Sequence, residues 1–311
     1  MLDEKVLVTG GAGFVGRAVV AALRAAGARV RVADPRALPS TDPGIETVAG
    51  DLREPGVLAA AVTGDLTGII HLAARTSVLQ SVQDPAGVHE VNVELTARLL
   101  EAARLAGVGR FLLASTNAVV GDVGAGRIHE EIALRPLTPY GATKAACEML
   151  LSGYAGSYGM TTCAVRLTNI YGPGMELKDS FVPRLMRAAL AGEGVEVYGN
   201  GEQRRDLVHV EDVARGFLAA WQADHVGPVI VGAGRSVTVT ELVEAARKAT
   251  ERPVPVTHVP AKTGEMPAVI VDIARARSLG YEPLVPLEEG LVGVWADFRA
   301  RAAAEADDAA C

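Results

Sequence analysis

Short apolar runs alternate with helix-length segments through the first half of the chain, and this alternation constrains the fold most. The apolar runs predict buried strands at Lys5–Thr9, Arg29–Ala33, Ile45–Ala49, Gly68–Leu72, Arg110–Ser115 and Thr162–Arg166. The longer segments between several of them predict helices at Val15–Ala26, Val88–Ala106 and Pro139–Ser157. Strands that are apolar throughout and separated by helices indicate a parallel sheet covered on both faces. We therefore predict an α/β fold with a Rossmann-type doubly wound sheet.

The regular alternation ends at about Leu167, where glycine and proline become frequent. The stretch Val208–Ile230 again resembles a helix followed by a strand, which predicts a return to the sheet. We therefore expect interleaved domains, with the Rossmann domain at residues 1–166 and about 207–233. A smaller C-terminal lobe takes about 167–206 and 234–311, and its alanine-rich tail from about Arg299 is expected to fray.

Composition excludes several classes of function. The net charge of -7 argues against a nucleic-acid groove or a polybasic membrane surface. No apolar run approaches the roughly 18 residues of a membrane span, and the N-terminus does not resemble a signal peptide. Cys147, Cys163 and Cys311 are odd in number and form no CxxC pair, which predicts reduced thiols and no metal site. We expect a soluble, cytoplasmic protein.

A glycine-rich segment, Thr9–Gly16, joins the first strand to the first helix. It fits GxxGxxG on Gly10, Gly13 and Gly16, and also GxGxxG starting at Gly11. Glycines allow a tight turn and a close backbone approach, and the helix N-terminus then faces a pyrophosphate. The alternative is a glycine-rich turn without a ligand, but the strand and helix lie where a dinucleotide site requires them.

Asp34, at the end of the second strand, favours NAD over NADP, because a carboxylate accepts hydrogen bonds from the ribose hydroxyls and repels a 2′-phosphate. Arg17 and Arg36 nearby weaken this preference. Asp51 after the third strand either borders the adenine pocket or forms a turn. His71, which ends the fourth strand, is expected to be a packed or hydrogen-bonded structural residue.

Tyr140 and Lys144 lie four residues apart, on one face of a predicted helix. An ammonium ~4 Å from a phenol, at an effective dielectric of ~20, is worth about 4 kcal/mol, or roughly three pKa units. That shift would bring the tyrosine pKa from about 10 to near 7, where a general base is useful. Ser115 and Thr116 end a strand at the carboxyl edge of the sheet, where ligands bind in open α/β folds, although such a pair also suits a turn.

Together these motifs resemble the extended short-chain dehydrogenase/reductases, specifically the NAD-dependent epimerase/dehydratase family, over nearly the whole chain. The matching segments are TGGAGFVG at Thr9–Gly16, HLAA at His71–Ala74, Asn92 in VNV, LLAST ending at Thr116, PYGATK at Pro139–Lys144, RLTNIYGPG at Arg166–Gly174 and VYGNGEQRRDLVHVEDVA at Val197–Ala214.

The resemblance implies a set of roles. Tyr140 is the catalytic base, Lys144 holds the nicotinamide ribose and Thr116 supplies a hydroxyl. The implied NAD-binding residues are Gly10, Gly13, Phe14, Val15, Gly16, Asp34, Asp51, Leu52, Leu72, Ala73, Ala74, Tyr140 and Lys144. The implied residues for a nucleotide-diphospho-sugar, bound in the C-terminal lobe, are Ser115, Thr116, Asn117, Asn169, Val182, Val197, Tyr198, Arg205, Lys262 and Val269. The family also implies a homodimer built from the two long helices.

Departures from the family pattern select among its reactions. Asn117 and Ala118 stand where the 4,6-dehydratases have Asp and Glu, and Ala118 also replaces a Glu of the decarboxylating relatives. The resemblance therefore favours a 4-epimerase acting on a UDP-hexose, a UDP-N-acetylhexosamine or a UDP-hexuronate. A dehydratase using other groups, a keto-sugar reductase and a non-catalytic NAD-binding protein are the alternatives. Val269 replaces a bulky Tyr, which suggests room for an N-acetyl group, and Lys262 replaces a diphosphate-binding Arg.

Overall fold

The computed structural model describes residues 2–260 and 268–310. The strands are β1 (Lys5–Thr9), β2 (Arg29–Asp34), β3 (Ile45–Ala49), β4 (Gly68–His71), β5 (Arg110–Thr116), β6 (Arg127–Ile128), β7 (Thr161–Leu167), β8 (Asn169–Tyr171), β9 (Val195–Tyr198), β10 (Arg204–His209), β11 (Gly227–Val231), β12 (Ser236–Thr238), β13 (Val256–Val259) and β14 (Ile270–Val271). The α-helices are α1 (Phe14–Ala25), α2 (Pro55–Ala61), α3 (Val78–Gln83), α4 (Pro85–His89), α5 (Leu95–Leu105), α6 (Pro139–Tyr158), α7 (Phe181–Ala191), α8 (Val210–Gln222), α9 (Val239–Thr250), α10 (Ala274–Ser278) and α11 (Leu287–Ala310).

The central sheet has the strand order β3-β2-β1-β4-β5-β7-β11, and every neighbouring pair is parallel. This confirms the predicted Rossmann-type α/β fold, and the strand β11 returns to the sheet as expected. The prediction that Ile45–Ala49 is buried was wrong, since Glu46 and Thr47 are exposed. Strand β3 lies at the edge of the sheet, where it has one neighbour and less cover.

Both faces of the sheet are packed, as the uniformly apolar strands require. Leu7 and Ile69 belong to the hydrophobic cluster on one face, and the adjacent Val8 and Ile70 belong to the cluster on the other. A third cluster, with Leu185 among its members, lies in the C-terminal part of the chain. This separate cluster supports the predicted division into two lobes, whose boundaries stay a prediction.

Local sequence signals determine where the long helix α6 begins and ends. Thr138 accepts a hydrogen bond from the Gly141 amide at 3.2 Å, Pro139 takes the first helical position, and Gly159 ends the helix with a φ of 67°. The predicted helix Val88–Ala106 is interrupted by a π-helical turn at Glu90–Glu94. The expected fraying after Arg299 is not observed, because α11 continues to Ala310.

Membrane spans and cysteine thiols are the two expectations from composition that concern the described residues. Within residues 2–260 and 268–310, no helix has the length and apolar character that crossing a membrane demands. Cys147 and Cys163 are both free thiols and both buried. Cys311 lies outside the described residues.

Helix α8 packs so closely on strand β11 that a side chain at Gly216 has no room. A Cβ there would lie 2.6 Å from both Cγ atoms of Val231. We predict that Gly216→Ala lowers the free energy of unfolding by about 1–3 kcal/mol through overpacking. The exposed Gly153 of α6 meets nothing within 4 Å, so Gly153→Ala should raise it by up to about 1 kcal/mol. Urea unfolding of both variants measures the two changes in the free energy of unfolding. Equal changes in the two variants would contradict the prediction.

Candidate active site

The carboxyl ends of β1, β2 and β4 open into a cavity of about 980 Å³, which we call the cofactor cavity. Its volume is at the upper end of the range for ligand pockets. Every residue predicted to bind NAD, apart from Tyr140 and Lys144, lines it. These residues are Gly10, Gly13, Phe14, Val15, Gly16, Asp34, Asp51, Leu52, Leu72, Ala73 and Ala74.

The glycine loop has no room for side chains at its critical positions. A Cβ at Gly16 would lie 2.1 Å from the Gly10 carbonyl oxygen, and Gly10 itself has a φ of 71°. Helix α1 begins directly after Gly13, so its N-terminal amides face the cavity. This cradle fits a pyrophosphate, because free amides and the positive end of the helix dipole favour an anion.

Asp34 is buried and orders the same loop. Its carboxylate accepts hydrogen bonds from the Ala12 amide at 3.2 Å and the Arg36 amide at 2.9 Å. The Arg36 side chain approaches it at 3.6 Å. Asp51 lines the cavity and also accepts from the Arg53 amide at 2.9 Å, as in a turn, while its place beside an adenine stays a prediction.

One wall of the cofactor cavity comes from the segment after β8, at Gly174, Glu176, Leu177 and Lys178, which sequence reasoning missed. Helix α11 holds this segment, since Asp297 accepts from the Gly174 amide at 2.8 Å. Gly174 ends the matching segment RLTNIYGPG, but Glu176, Leu177 and Lys178 carry no local motif. Their contact with the cavity spans more than a hundred positions, so only the tertiary structure reveals it.

Thr116 and Tyr140 meet where β5 ends and α6 begins. The Thr116 hydroxyl accepts from the Ala118 amide at 3.2 Å and lies within reach of the Tyr140 hydroxyl, whose pKa it lowers. Lys144 lies one turn further along α6 and is 3% exposed. The structure therefore brings together the three residues that the sequence singled out as catalytic.

The electrostatics of this site differ from the sequence expectation. Burial raises the pKa of Tyr140 to about 12, and the hydrogen bond with Thr116 only partly offsets this. Burial also lowers the pKa of Lys144, although Cys147 and Glu148 act in the opposite direction. The expected tyrosine pKa near 7 was wrong for the protein's own residues, because desolvation of the phenolate dominates and Lys144 is not among the groups that lower this pKa.

A buried chain of hydrogen bonds runs from the cofactor cavity through His71 to the π-helical turn. Thr9 Oγ1 accepts from the Ala73 amide at 3.3 Å and lies 2.6 Å from His71 Nδ1. His71 Nε2 lies 3.1 Å from Thr96 Oγ1, which donates to the Asn92 carbonyl. Because an amide begins the chain and a carbonyl ends it, each hydroxyl must accept on one side and donate on the other. His71 is therefore protonated on Nε2, and its role is structural, as expected.

The Asn92 side chain joins the cavity wall to α6. It accepts from the Arg75 amide at 2.9 Å, and it donates to the Arg75 carbonyl at 3.1 Å and to Thr143 Oγ1 at 3.0 Å. Thr143 in turn donates to the Tyr140 carbonyl at 2.8 Å. Asn92 was noted only as part of a motif, and its π-helical turn has no sequence signal that we recognise.

A second cavity, of about 270 Å³, lies in the C-terminal part of the chain, and we call it the lobe cavity. Five of the predicted substrate-binding residues line it, namely Asn169, Val182, Val197, Tyr198 and Arg205. Sequence reasoning missed Gln203, which also lines it and donates to the Tyr198 carbonyl at 3.0 Å.

Among the described residues, the remaining predicted substrate residues, including Thr116, line neither cavity. Ser115 is buried and donates to Glu148 at 2.5 Å, and Asn117 is buried in a 3₁₀ turn at Asn117–Val120. Val269 is 3% exposed and packs in the hydrophobic cluster that contains Val8. Lys262 lies outside the described residues. The substrate roles of all ten predicted residues stay predictions.

The doubly wound sheet, the glycine loop and the Thr116, Tyr140 and Lys144 set together define an extended short-chain dehydrogenase/reductase. The family model described as "NAD dependent epimerase/dehydratase family" matches residues 6–232. The chain belongs to this family.

Relatives in the family carry out different reactions. A dTDP-glucose 4,6-dehydratase of Actinoplanes is 33% identical over 315 residues, which cover 95% of this chain and 98% of the relative. The UDP-N-acetylglucosamine 4-epimerase of Methanobrevibacter ruminantium, solved with UDP-N-acetylmuramic acid, is 28% identical with a TM-score of 0.91, covering 97% of this chain and 100% of its own. The Thermus thermophilus UDP-glucose 4-epimerase, solved with NAD, is 34% identical with a TM-score of 0.86, covering 95% and 99%.

We predict that His71 remains neutral throughout the range in which enzymes are normally assayed. Burial and the nearby Lys144 lower its pKa to about 3. Because the unfolded chain has a histidine pKa of about 6.5, it binds more protons between those values. Its contribution to stability is then lost as pH falls from about 6.5 towards 3. Nitrogen-15 NMR of the imidazole should show the Nε2–H tautomer unchanged from pH 8 to pH 5, and protonation above pH 5 would contradict this.

Proposed function

We propose that this protein is an NAD-dependent nucleotide-sugar 4-epimerase. The observation that carries the proposal is the meeting of Thr116 with Tyr140 at the carboxyl edge of a sheet that also opens into the cofactor cavity. The lobe cavity supplies a separate place for the nucleotide part of a substrate. The Thermus relative solved with NAD supports the cofactor.

The residues of the cofactor cavity fit NAD. The loop at Gly10–Gly16 would hold the pyrophosphate and Asp34 the adenosine ribose, with Lys144 holding the nicotinamide ribose. When bound, NAD would supply reversible hydride transfer at the sugar C4. No other redox partner is then required.

The protein's own groups handle the proton at the sugar C4 oxygen. Tyr140 would take that proton as the C4–H bond breaks, and Thr116 would hold the oxygen by a hydrogen bond. Tyr140 would return the same proton after the sugar has turned over. The burial around this pair limits the access of water, which protects the 4-keto sugar from side reactions. Arg205, which lines the lobe cavity, suits a diphosphate because its guanidinium binds phosphate oxygens in a fork.

A 4,6-dehydratase is the second candidate, because a dehydratase of Actinoplanes matches nearly the whole chain. Elimination of water needs an acid and a base beyond Tyr140. Asn117 and Ala118 directly after Thr116 provide neither. Glu148, the carboxylate closest along α6, is already bound by Ser115 and Arg166. These observations favour epimerisation.

We propose a UDP-hexose, UDP-N-acetylhexosamine or UDP-hexuronate as the substrate. The relative solved with UDP-N-acetylmuramic acid supports the N-acetylated class. Val269 lines neither cavity, so its influence on the sugar has to come through the residues packed around it. We also place this activity in the cytoplasm, in keeping with the expected reduced thiols.

We predict that the purified protein converts a UDP-sugar to its C4 epimer with catalytic NAD, as followed by proton NMR. The panel holds UDP- and dTDP-hexoses, hexuronates and N-acetylhexosamines. Tyr140→Phe removes the group that carries the proton and should slow conversion by at least about 100-fold. The control variant Tyr158→Phe, on the exposed part of the same helix, should not slow conversion.

A 4-keto-6-deoxy product would show a dehydratase instead. Stoichiometric consumption of NADH or NADPH would show a reductase, and bound NAD without turnover a binding protein.

We further propose a homodimer formed through α5 and α6, which contact each other. Leu105 at the end of α5 is 71% exposed and Met149 on α6 is 58% exposed. The double variant Leu105→Glu, Met149→Glu should shift the protein to a monomer in sedimentation velocity, since it buries charge in an apolar contact. Leu284→Glu, at an exposed leucine elsewhere, is the control. A monomeric wild type would contradict the proposal.

A further inference from the structure

A buried ion pair lies directly behind the site, and the chemistry above does not use it. Glu148 and Arg166 have side chains that are 4% and 3% exposed. Arg166 donates to the Glu148 carboxylate through Nε at 3.1 Å and through Nη2 at 2.8 Å. Its remaining nitrogen, Nη1, donates to the Glu130 carbonyl at 3.0 Å. Both charges are therefore fully engaged inside the protein.

This pair connects the three elements that carry the site. Glu148 lies on α6 one turn after Lys144 and two turns after Tyr140. Arg166 lies on β7 directly opposite Ser115 of β5 in the parallel register. The Ser115 hydroxyl donates at 2.5 Å to Glu148 Oε1, the carboxylate oxygen that also accepts from Arg166 Nε. One carboxylate thus joins the catalytic helix to two neighbouring strands at their carboxyl ends.

Stability alone does not account for such an arrangement. Removing two charges from water costs several kcal/mol per ion, and apolar residues of similar volume often serve equally well or better. An ion pair with defined hydrogen bonds fixes the relative orientation of the elements that it joins, because its partners are held at fixed distances and angles. The element held most directly is the end of β5, where Thr116 follows Ser115.

We propose that Glu148 and Ser115 are positioning residues for Thr116, with Arg166 holding the Glu148 carboxylate in place. The inference rests on the proposed function, since it assigns Thr116 the task of meeting the sugar oxygen beside Tyr140. Ser115 then acts through Glu148 and does not touch the substrate. This replaces the direct substrate contact expected from the sequence with an indirect role.

The first test is Ser115→Ala, which removes the hydroxyl and leaves the ion pair intact. We expect kcat to fall about 10- to 100-fold, because a reacting group displaced by ~1 Å has that effect, while KM stays within about twofold. The matched control is Thr162→Val. Thr162 lies on β7, and its buried hydroxyl donates to the Leu151 carbonyl of α6 at 2.9 Å. Its loss should leave kcat within about twofold of wild type.

A second readout needs no substrate. In protein labelled with carbon-13 at tyrosine Cζ, the Tyr140 resonance is assigned by its absence in Tyr140→Phe. It should move in Ser115→Ala, because the hydrogen bond from Thr116 changes, and should not move in Thr162→Val. If the wild type turns over no sugar, the proposed function fails, whereas this resonance still tests the positioning.

The double variant Glu148→Met, Arg166→Met separates positioning from folding. It replaces the pair by apolar side chains, so we expect it to fold with a Tm close to that of wild type but with a displaced Tyr140 resonance and kcat reduced at least about tenfold. Wild-type kcat in this variant would overturn the proposal. A raised KM at unchanged kcat in Ser115→Ala would also overturn it, since that pattern indicates a direct substrate contact.

Discussion

The parallel pairing of β5 with β4 on one side and β7 on the other is the constraint on which the site depends. Parallel strands end at one edge of a sheet, so His71, Thr116 and Leu167 finish close together although nearly a hundred residues separate the first from the last. The right-handed crossover helices then cover the faces and leave this edge open. The same geometry gives the cofactor cavity its glycine loop, from the end of β1.

Burial at this edge forces every polar group to have a partner, because an unpaired group in a poorly solvated interior costs several times what a hydrogen bond contributes. His71 lies between two threonine hydroxyls, and the Asn92 side chain makes three contacts. Glu148 is shared between Ser115 and Arg166. Such networks have few alternative arrangements, which makes the site rigid before any ligand arrives.

The sequence predicted those parts of the fold that depend on neighbouring residues. Strand β1 and helix α6 follow from apolar runs, from Pro139 and from Gly159, and the loop at Gly10–Gly16 follows from spacing. It did not predict the wall at Gly174–Lys178 or the π-helical turn around Asn92. The cavity wall depends on where a part of the chain distant in sequence packs. The π-helical turn replaces an α-helical turn in a segment whose residues suit either kind of turn.

The tyrosine pKa shows most clearly where sequence reasoning ends. The spacing of Tyr140 and Lys144 predicted a catalytic pair, but a Coulomb estimate with one dielectric constant gave the wrong direction for the tyrosine pKa, since it omitted the cost of burying a phenolate. Both groups lose solvation together, so Lys144 alone does not make Tyr140 a base near neutral pH.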